Sequence, residues 1–464
     1  MREKKTEINF MKSALIRICK FVHILITIFI HSACLYYYNA NYNQNGVGHR
    51  RFVLFILLYT GVLLFSLRTY KSYDFGLTSA SRLIYSQTLA DVISGGLFYI
   101  VFVIANSKVF TPVPLIVMFV GQVLLNTVWS FLISKFYFKI NKPKKTALIY
   151  GDEYAISRIS DAYGRQNNFE IIKKIKIPEE DKSWLDELDD CEAVFIAGMP
   201  HKTRNLTLKV CLEKGIECYA APYLGDIVMM GAKYMDMFSV PVFGVTRANL
   251  KIEYAFVKRA IDIICSLIGI IILSPVMLIT AIAIRAYDRG PALYKQVRLT
   301  RGGKEFKIFK FRSMRVNAES DGVARLAGEN DNRITPVGKI IRTCRLDELP
   351  QLFNILKGDM TIVGPRPERT EIAAQYEEFL PEFSLRLQVK AGLTGLAQVY
   401  GRYNTQPYDK LQMDLMYINE MSFVKDLRLI FATIKILFIK DSTQGTAEGQ
   451  TTAMKNEERE VVTK

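Results

Sequence analysis

Three short segments in the C-terminal part of the chain combine charge, proline and glycine at spacings suited to phosphate chemistry. In IIRTCRLDELPQLFNILKGDM (Ile340 to Met360) the adjacent carboxylates Asp347 and Glu348 follow Arg342 and Arg345 and precede Pro350. A proline in a first helical turn makes Asp347 a candidate N-cap. The alternative is a carboxylate nucleophile or Mg2+ ligand, because a helix start and nearby arginines hold phosphate oxygens and keep a carboxylate ionised. In TIVGPRPER (Thr361 to Arg369) two prolines flank Arg366, so the guanidinium sits on a stiff loop, and arginine suits bidentate phosphate recognition. In KEFKIFKFRSMR (Lys304 to Arg315) apolar Phe306, Ile308 and Phe309 alternate imperfectly with Lys307, Lys310 and Arg312. That pattern reads as a strand with a basic face, solvated or set beside a membrane or an anionic ligand. A glycine-punctuated stretch, VKAGLTGLAQVYGR, ends at Arg402, and Asp414 follows in QMDLMYI.

Other chemistries are excluded. Only four histidines occur and none follows His201, so no Ser-His triad or HExxH metalloprotease site can lie in this region. The seven cysteines are scattered without a CxxC, which argues for a reduced compartment and against structural zinc.

The elements that position these segments begin in a membrane. Apolar stretches from about Cys19 to Tyr38, Phe52 to Leu67, Leu89 to Ile104 and Val113 to Ile133 are each about long enough to span, since roughly 20 residues cross a bilayer. Lysine and arginine cluster before the first span, between the second and third, and after the fourth. The positive-inside rule then puts both ends of this four-helix domain, residues 1–140, in the cytoplasm. Asp91, near the start of the third span, reads as a solvated interfacial residue rather than the mark of a transport path.

Residues 145–245 alternate short apolar runs (TALIYG, EIIKKIKI, EAVFIAG, IECYAAP) with polar helix-like stretches, which predicts a parallel, Rossmann-like α/β domain. Its first strand-to-helix turn, YGDEYAIS, lacks the glycine pattern that admits a pyrophosphate, so a scaffold or degenerate sensor is the expectation. From Lys258 a third unit starts with an apolar stretch, 261–284, bounded by cations and interrupted by Ser274-Pro275. Proline removes a helix hydrogen bond and bends the helix there. A simple kinked span is one reading; cations at both ends favour the other, a re-entrant helix that leaves by the face it entered. Near the end, Asp426 to Lys440 is apolar but short, with Arg428 and Lys435 on one helix face, which suits a helix lying in the interface. The tail, 442–464, lacks apolar periodicity and is expected to be disordered.

From Lys258 to about Lys440 the motifs KRAIDI, the SP break, KFRSM, RLDELPQLFNILKGDM, VGPRP and KAGLTGLAQVYGR occur in an order that resembles the bacterial sugar transferases, the monotopic phosphoglycosyl transferases. The four spans and α/β domain ahead of them resemble the long polytopic members. The resemblance implies a mixed α/β catalytic domain at 258–441 that uses a UDP-sugar, undecaprenyl phosphate and Mg2+ to make undecaprenyl-diphospho-sugar and UMP. This would be the first step of surface polysaccharide synthesis, at the bacterial inner membrane, with the catalytic domain in the cytoplasm. It implies Asp347 as the nucleophile that forms a covalent phosphosugar and Glu348 as its partner, assisting the metal or deprotonating the acceptor. It further implies Arg366 near the donor phosphates and Lys310 and Arg312 in a basic patch. Arg342, Arg345, Arg402 and Asp414 complete the expected substrate-binding set. Tyr403 stands where many members have Asn, with Asn404 one position later. Implied partners are membrane lipid, a possible second copy of the chain and downstream glycosyltransferases. An inactive scaffold of a glycan assembly complex is the competing reading, against which the intact Asp-Glu pair and PRP loop argue.

Composition agrees with a membrane-anchored enzyme. The 464 residues are 50% hydrophobic yet 23% charged, a mixture of spans and water-facing domains. The net charge of +16 would suit nucleic acid, anionic lipid or a phosphorylated substrate. Because the cations concentrate beside the spans, nucleic acid is not expected as a partner.

Overall fold

The protein is represented by a computed structural model that describes residues 2–42, 49–76, 78–151, 168–177, 183–237, 240–248, 250–316, 318, 331–401 and 405–437. Arg402, Tyr403, Asn404 and the tail 442–464 lie outside the described residues. The chain forms two compact units, Met1–Ala221 and Pro222–Lys464.

The first unit opens with four long helices, α1 (Arg2–Tyr42), α2 (His49–Thr69), α3 (Ala80–Asn106) and α4 (Val113–Ile140). Each is long and apolar enough to cross a membrane. They meet through aromatic packing, as of Tyr59 on His31 and Phe55 on Phe98, and through polar bonds: Asn126 donates to Asp91 Oδ2 at 2.7 Å, its own amide oxygen lies 3.1 Å from His23 Nε2, and His23 Nδ1 is 2.8 Å from the Tyr73 hydroxyl. Gln122 donates to Tyr59 at 2.8 Å and Ser130 to Gln87 at 3.0 Å. In a bilayer the hydrophobic effect does not drive helices together, so close packing and such bonds join them. Asp91 is accordingly 2% exposed, which corrects the solvated reading: Asn126 on the facing helix supplies the hydrogen bond that water would have made.

The four apolar runs of the α/β segment become β1 (Lys144–Tyr150), β2 (Phe169–Lys176), β3 (Ala193–Ala197) and β4 (Glu217–Ala220). They form one parallel sheet in the order β2-β1-β3-β4. Ala147, Leu148, Ile149 and all of β3 are buried, as continuous apolar runs in parallel strands require. Between β3 and β4 runs α5 (His201–Lys214), closed by Gly215 at φ 68°.

Residues 222–244 belong to the second unit, where α6 (Leu224–Met230) is followed by a hairpin of β5 (Lys233–Met237) and β6 (Val240–Gly244). Next comes α7 (Ile252–Asp288), 37 residues long and a fifth helix able to cross a membrane by length and composition. It continues as helix through Ser274 and Pro275. Pro275 has no N–H for the Ile271 carbonyl, and the Ser274 hydroxyl donates to that carbonyl at 2.8 Å instead. The Ser-Pro pair thus repairs its own defect.

Along its length α7 lies on the rest of this unit. Arg259 donates to the carbonyls of Ile355 and Leu356 at 2.7 and 2.8 Å, and Asp262 accepts from the Ile362 amide at 2.9 Å. At the other end Ile284 packs with Phe311 and Ile341, and Asp288 pairs with Arg312. The remaining elements are β7 (Leu293–Leu299) antiparallel to β8 (Glu305–Phe311), α8 (Pro336–Thr343), α9 (Gln351–Lys357), β9 (Thr361–Val363) and α10 (Thr370–Phe379). They are followed by β10 (Gly392–Thr394) parallel to β9, then α11 (Leu396–Tyr400), α12 (Pro407–Asn419) and α13 (Phe423–Leu437). Lys258 ties three of these together, reaching Asp426 at 2.6 Å and the Val363 carbonyl at 2.9 Å, while Tyr417 donates to Asp426 at 2.7 Å.

Candidate active site

Helix α8 starts on Thr335, whose hydroxyl accepts from the Gly338 amide at 2.9 Å, with Pro336 at the first helical position. It ends before Arg345, which takes the left-handed conformation at φ 56° and turns the chain into a single 3-10 turn, Leu346–Glu348. Leu346 and Leu349 pack against the cluster of Ile284, Phe311 and Ile341. The two carboxylates between them are left half-buried. Asp347 is not an N-cap: the residue before α9 is Pro350, and no side chain caps that helix.

The carboxylates are not equivalent. Glu348 Oε1 accepts from Lys310 Nζ and from Arg366 Nη2, both at 3.1 Å, and Arg345 lies 4.0 Å from Oε2. Among the described residues, no hydrogen bond or ion pair engages the carboxylate of Asp347, although Lys310, Arg342 and Arg345 are near enough to act on its charge. Burial would push Glu348 up, but Lys310, Arg366 and Arg345 together hold it far below the usual carboxylate range. Burial and the Glu348 charge push Asp347 up, against the three cations. Burial also lowers Lys310, with Glu348 partly offsetting it.

Lys310 owes its place to Asn354, which is fully buried on α9. Its amide oxygen accepts from the Phe309 N–H at 2.9 Å and its amide nitrogen donates to the Lys307 carbonyl at 2.8 Å. One side chain thereby docks β8 on the helix that follows the dyad. Arg366 is one-third exposed, and its second nitrogen donates to Gln398 at 3.3 Å.

The PRP loop is stiff for more than its prolines. Four successive carbonyls are held from outside: Pro365 by the Gly392 amide, Arg366 by Arg386, Pro367 by Arg298 and Glu368 by the Leu299 amide, at 2.8 to 3.1 Å.

Of the sequence candidates, the structure gathers Asp347, Glu348, Lys310, Arg342, Arg345 and Arg366. It places Arg312, just past the end of β8, elsewhere: 6% exposed and paired with Asp288 at the end of α7. Asp414 is 1% exposed and bonded to Arg386 at 2.7 Å, behind the PRP loop. Asn354, Gln398, Arg298, Arg386 and Glu368 went unread in the sequence. A polar residue inside an apolar helix or a PRPE run carries no local sign of its partner, which comes from a distant segment.

A family model described as bacterial sugar transferase matches residues 253–440. An exopolysaccharide production protein of Rhizobium leguminosarum bv. phaseoli is 41% identical over 188 residues, covering 38% of this chain and 92% of that protein. The chain belongs to the bacterial sugar transferase family. A UDP-glucose:undecaprenyl-phosphate glucose-1-phosphate transferase of Caulobacter vibrioides is 38% identical over 190 residues, 40% of this chain and 71% of that one. A UDP-N-acetylgalactosamine-undecaprenyl-phosphate N-acetylgalactosaminephosphotransferase of Aeromonas hydrophila is 42% identical over 187 residues. That match covers 40% of this chain and 44% of the relative, so the sugar transferase region spans about half the length of this longer relative. The dyad, Lys310 and Arg366 all lie inside the matched region.

Proposed function

We propose that the protein transfers a sugar-1-phosphate from a UDP-sugar to undecaprenyl phosphate, with Asp347 as nucleophile. The observation that carries this reading is the asymmetry of the dyad: Glu348 is occupied by two cations, while no hydrogen bond or ion pair among the described residues engages the Asp347 carboxylate beside them. An Asp347 oxygen attacks the sugar-bearing phosphorus; the new O–P bond replaces the bond to UMP, which leaves. An oxygen of undecaprenyl phosphate then attacks the same phosphorus, the Asp347–phosphorus bond breaks, and undecaprenyl-diphospho-sugar departs. The carboxylate is regenerated, and no proton need be removed from it at neutral pH. A phosphate monoester loses its second proton near pH ~6, so the acceptor needs no strong base. Glu348, held ionised by Lys310 and Arg366, is a weak base and serves to hold those cations at the transferring phosphate.

Among the described residues, no cluster of three or more His, Cys, Asp or Glu could cage a metal. Asp347 and Glu348 still fit Mg2+, which commonly takes one or two carboxylates together with substrate phosphates. Such an ion would neutralise charge spread over the diphosphate.

A re-entrant α7 would hold this site at headgroup depth. In support, Arg259 and Asp262 near one end and Ile284 and Asp288 at the other contact the same compact unit, as expected of a helix whose ends share one side of the bilayer. We read α13 as an interfacial platform, the parallel sheet as Rossmann-like, and the location as the inner membrane with the dyad facing the cytoplasm.

The test is UMP release by the detergent-purified chain with undecaprenyl phosphate, Mg2+ and a panel of UDP-sugars, with Asp347→Asn alongside. Release with one donor, lost in the variant, supports the reading. Undiminished release from the variant overturns it.

A further inference from the structure

The loop that presents Arg366 rests on a buried cluster of charges. Arg386 is 2% exposed, lies over the Phe383 ring at 4.9 Å, and gives Nε and Nη2 to Asp414 at 2.8 and 2.7 Å. The same Nη2 donates to the main-chain carbonyl of Arg366 at 2.8 Å. Arg298 donates to the next carbonyl, Pro367, at 3.1 Å, and is itself fixed by Gln296 at 2.6 Å. Glu368 folds back among the cations, with Lys410 bonded to it, Arg386 at 3.5 Å and Arg298 at 4.0 Å.

Two properties separate this cluster from ordinary core packing. Residues 365 and 367 are prolines, so the loop cannot hold itself by a regular ladder, and its carbonyls need donors from elsewhere. Buried ion clusters are also an expensive filling, because apolar residues of similar volume are often as stabilising or more so. What arginine adds is a rigid planar fork: with Nε and Nη2 locked on Asp414 and Nη1 facing Glu368, the second hydrogen of Nη2 has a set direction, and that direction ends on the Arg366 carbonyl.

We propose that Arg386, seconded by Arg298, is the positioning residue of the Arg366 loop, acting on the reaction through the Arg366 main chain. The activity readout of this inference rests on the proposed sugar-phosphate transfer; a second readout does not. If the clamp is lost, the segment carrying Arg366 is no longer held where its guanidinium lies 3.1 Å from Glu348 Oε1, and the amides of that segment open more readily.

The experiment compares Arg386→Lys and Arg298→Lys, which keep the charge and lose the fork, alone and combined with Arg366→Ala, in the full chain. Each single variant is expected to lose about tenfold in kcat/KM, roughly the worth of one charge-assisted hydrogen bond. In the Arg366→Ala background neither should cause further loss. Hydrogen exchange of the segment 364–369 should quicken in both single variants. Losses that multiply in the Arg366→Ala background would reduce the cluster to general stability and overturn the proposal. So would unchanged exchange in folded variants. Should Arg386→Lys fail to fold, Arg298→Lys decides by the same readouts. If the wild type releases no UMP from any donor, the reaction reading fails, and the exchange measurement still judges the clamp.

Discussion

Lys310 and Arg366 converge on a single oxygen: each donates to Glu348 Oε1 at 3.1 Å, one from a β-strand and one from a proline-flanked loop. The carboxylate therefore sets the spacing of two cations from distant segments. Removing its charge should scatter them. Glu348→Gln is expected to lower UMP release by about a hundredfold, the scale of two charge-assisted hydrogen bonds. Steady-state rates at saturating donor check this.

Asp347 should behave in the opposite way toward stability. Because its carboxylate makes no hydrogen bond in the described structure, Asp347→Asn is expected to shift unfolding by less than about 0.5 kcal/mol while abolishing turnover. Mass spectrometry of protein mixed with the UDP-sugar should find a phosphosugar on the wild type and none on the variant. A thermal midpoint lowered by many degrees would mean that Asp347 is structural.

Asn354 predicts a stability effect far from the reaction. Asn354→Leu removes the bonds to the Phe309 N–H and the Lys307 carbonyl, at a cost of about 1 to 3 kcal/mol. Differential scanning fluorimetry should register it, and Lys310 misplacement should lower activity in the molecules that remain folded.

The pH dependence of stability follows from Glu368, which Lys410, Arg386 and Arg298 hold at about 2 despite burial. An unfolded glutamate titrates near ~4.3. Its folded value is the lower one, so its contribution is present above that pH and is lost as the pH falls toward the folded value. Glu368→Gln should therefore be less stable than wild type at neutral pH, with the gap closing below about pH 4. Melting curves across that range test the sign.

Re-entry of α7 makes a labelling prediction. Ile252 and Tyr287, near its two ends, are 84% and 50% exposed. Cysteines at these positions, in a background without native cysteines, should both react with an impermeant reagent from the cytoplasmic side only. Labelling from opposite sides would make α7 a true span.

The amino-acid sequence by itself determined the elements and most of the charged set. Four apolar stretches, four strand-like runs and a cation-bounded apolar helix are local patterns, and local pattern decides whether a segment suits lipid, a sheet or water. The motifs likewise singled out Asp347, Glu348, Lys310 and Arg366 as residues for phosphate chemistry. Tertiary structure decided which residues meet. Lys310 and Arg312 stand two apart on one stretch of chain, yet the first reaches the dyad and the second the end of α7, because different helices pack over each position. Asp414 lies in the core because Arg386, 28 residues away, requires a counter-charge there. Asp91 is buried because Asn126 on a facing helix can replace water. In each case the deciding partner is distant in sequence, and hydrogen bonds between distant segments exist only once packing has brought them together.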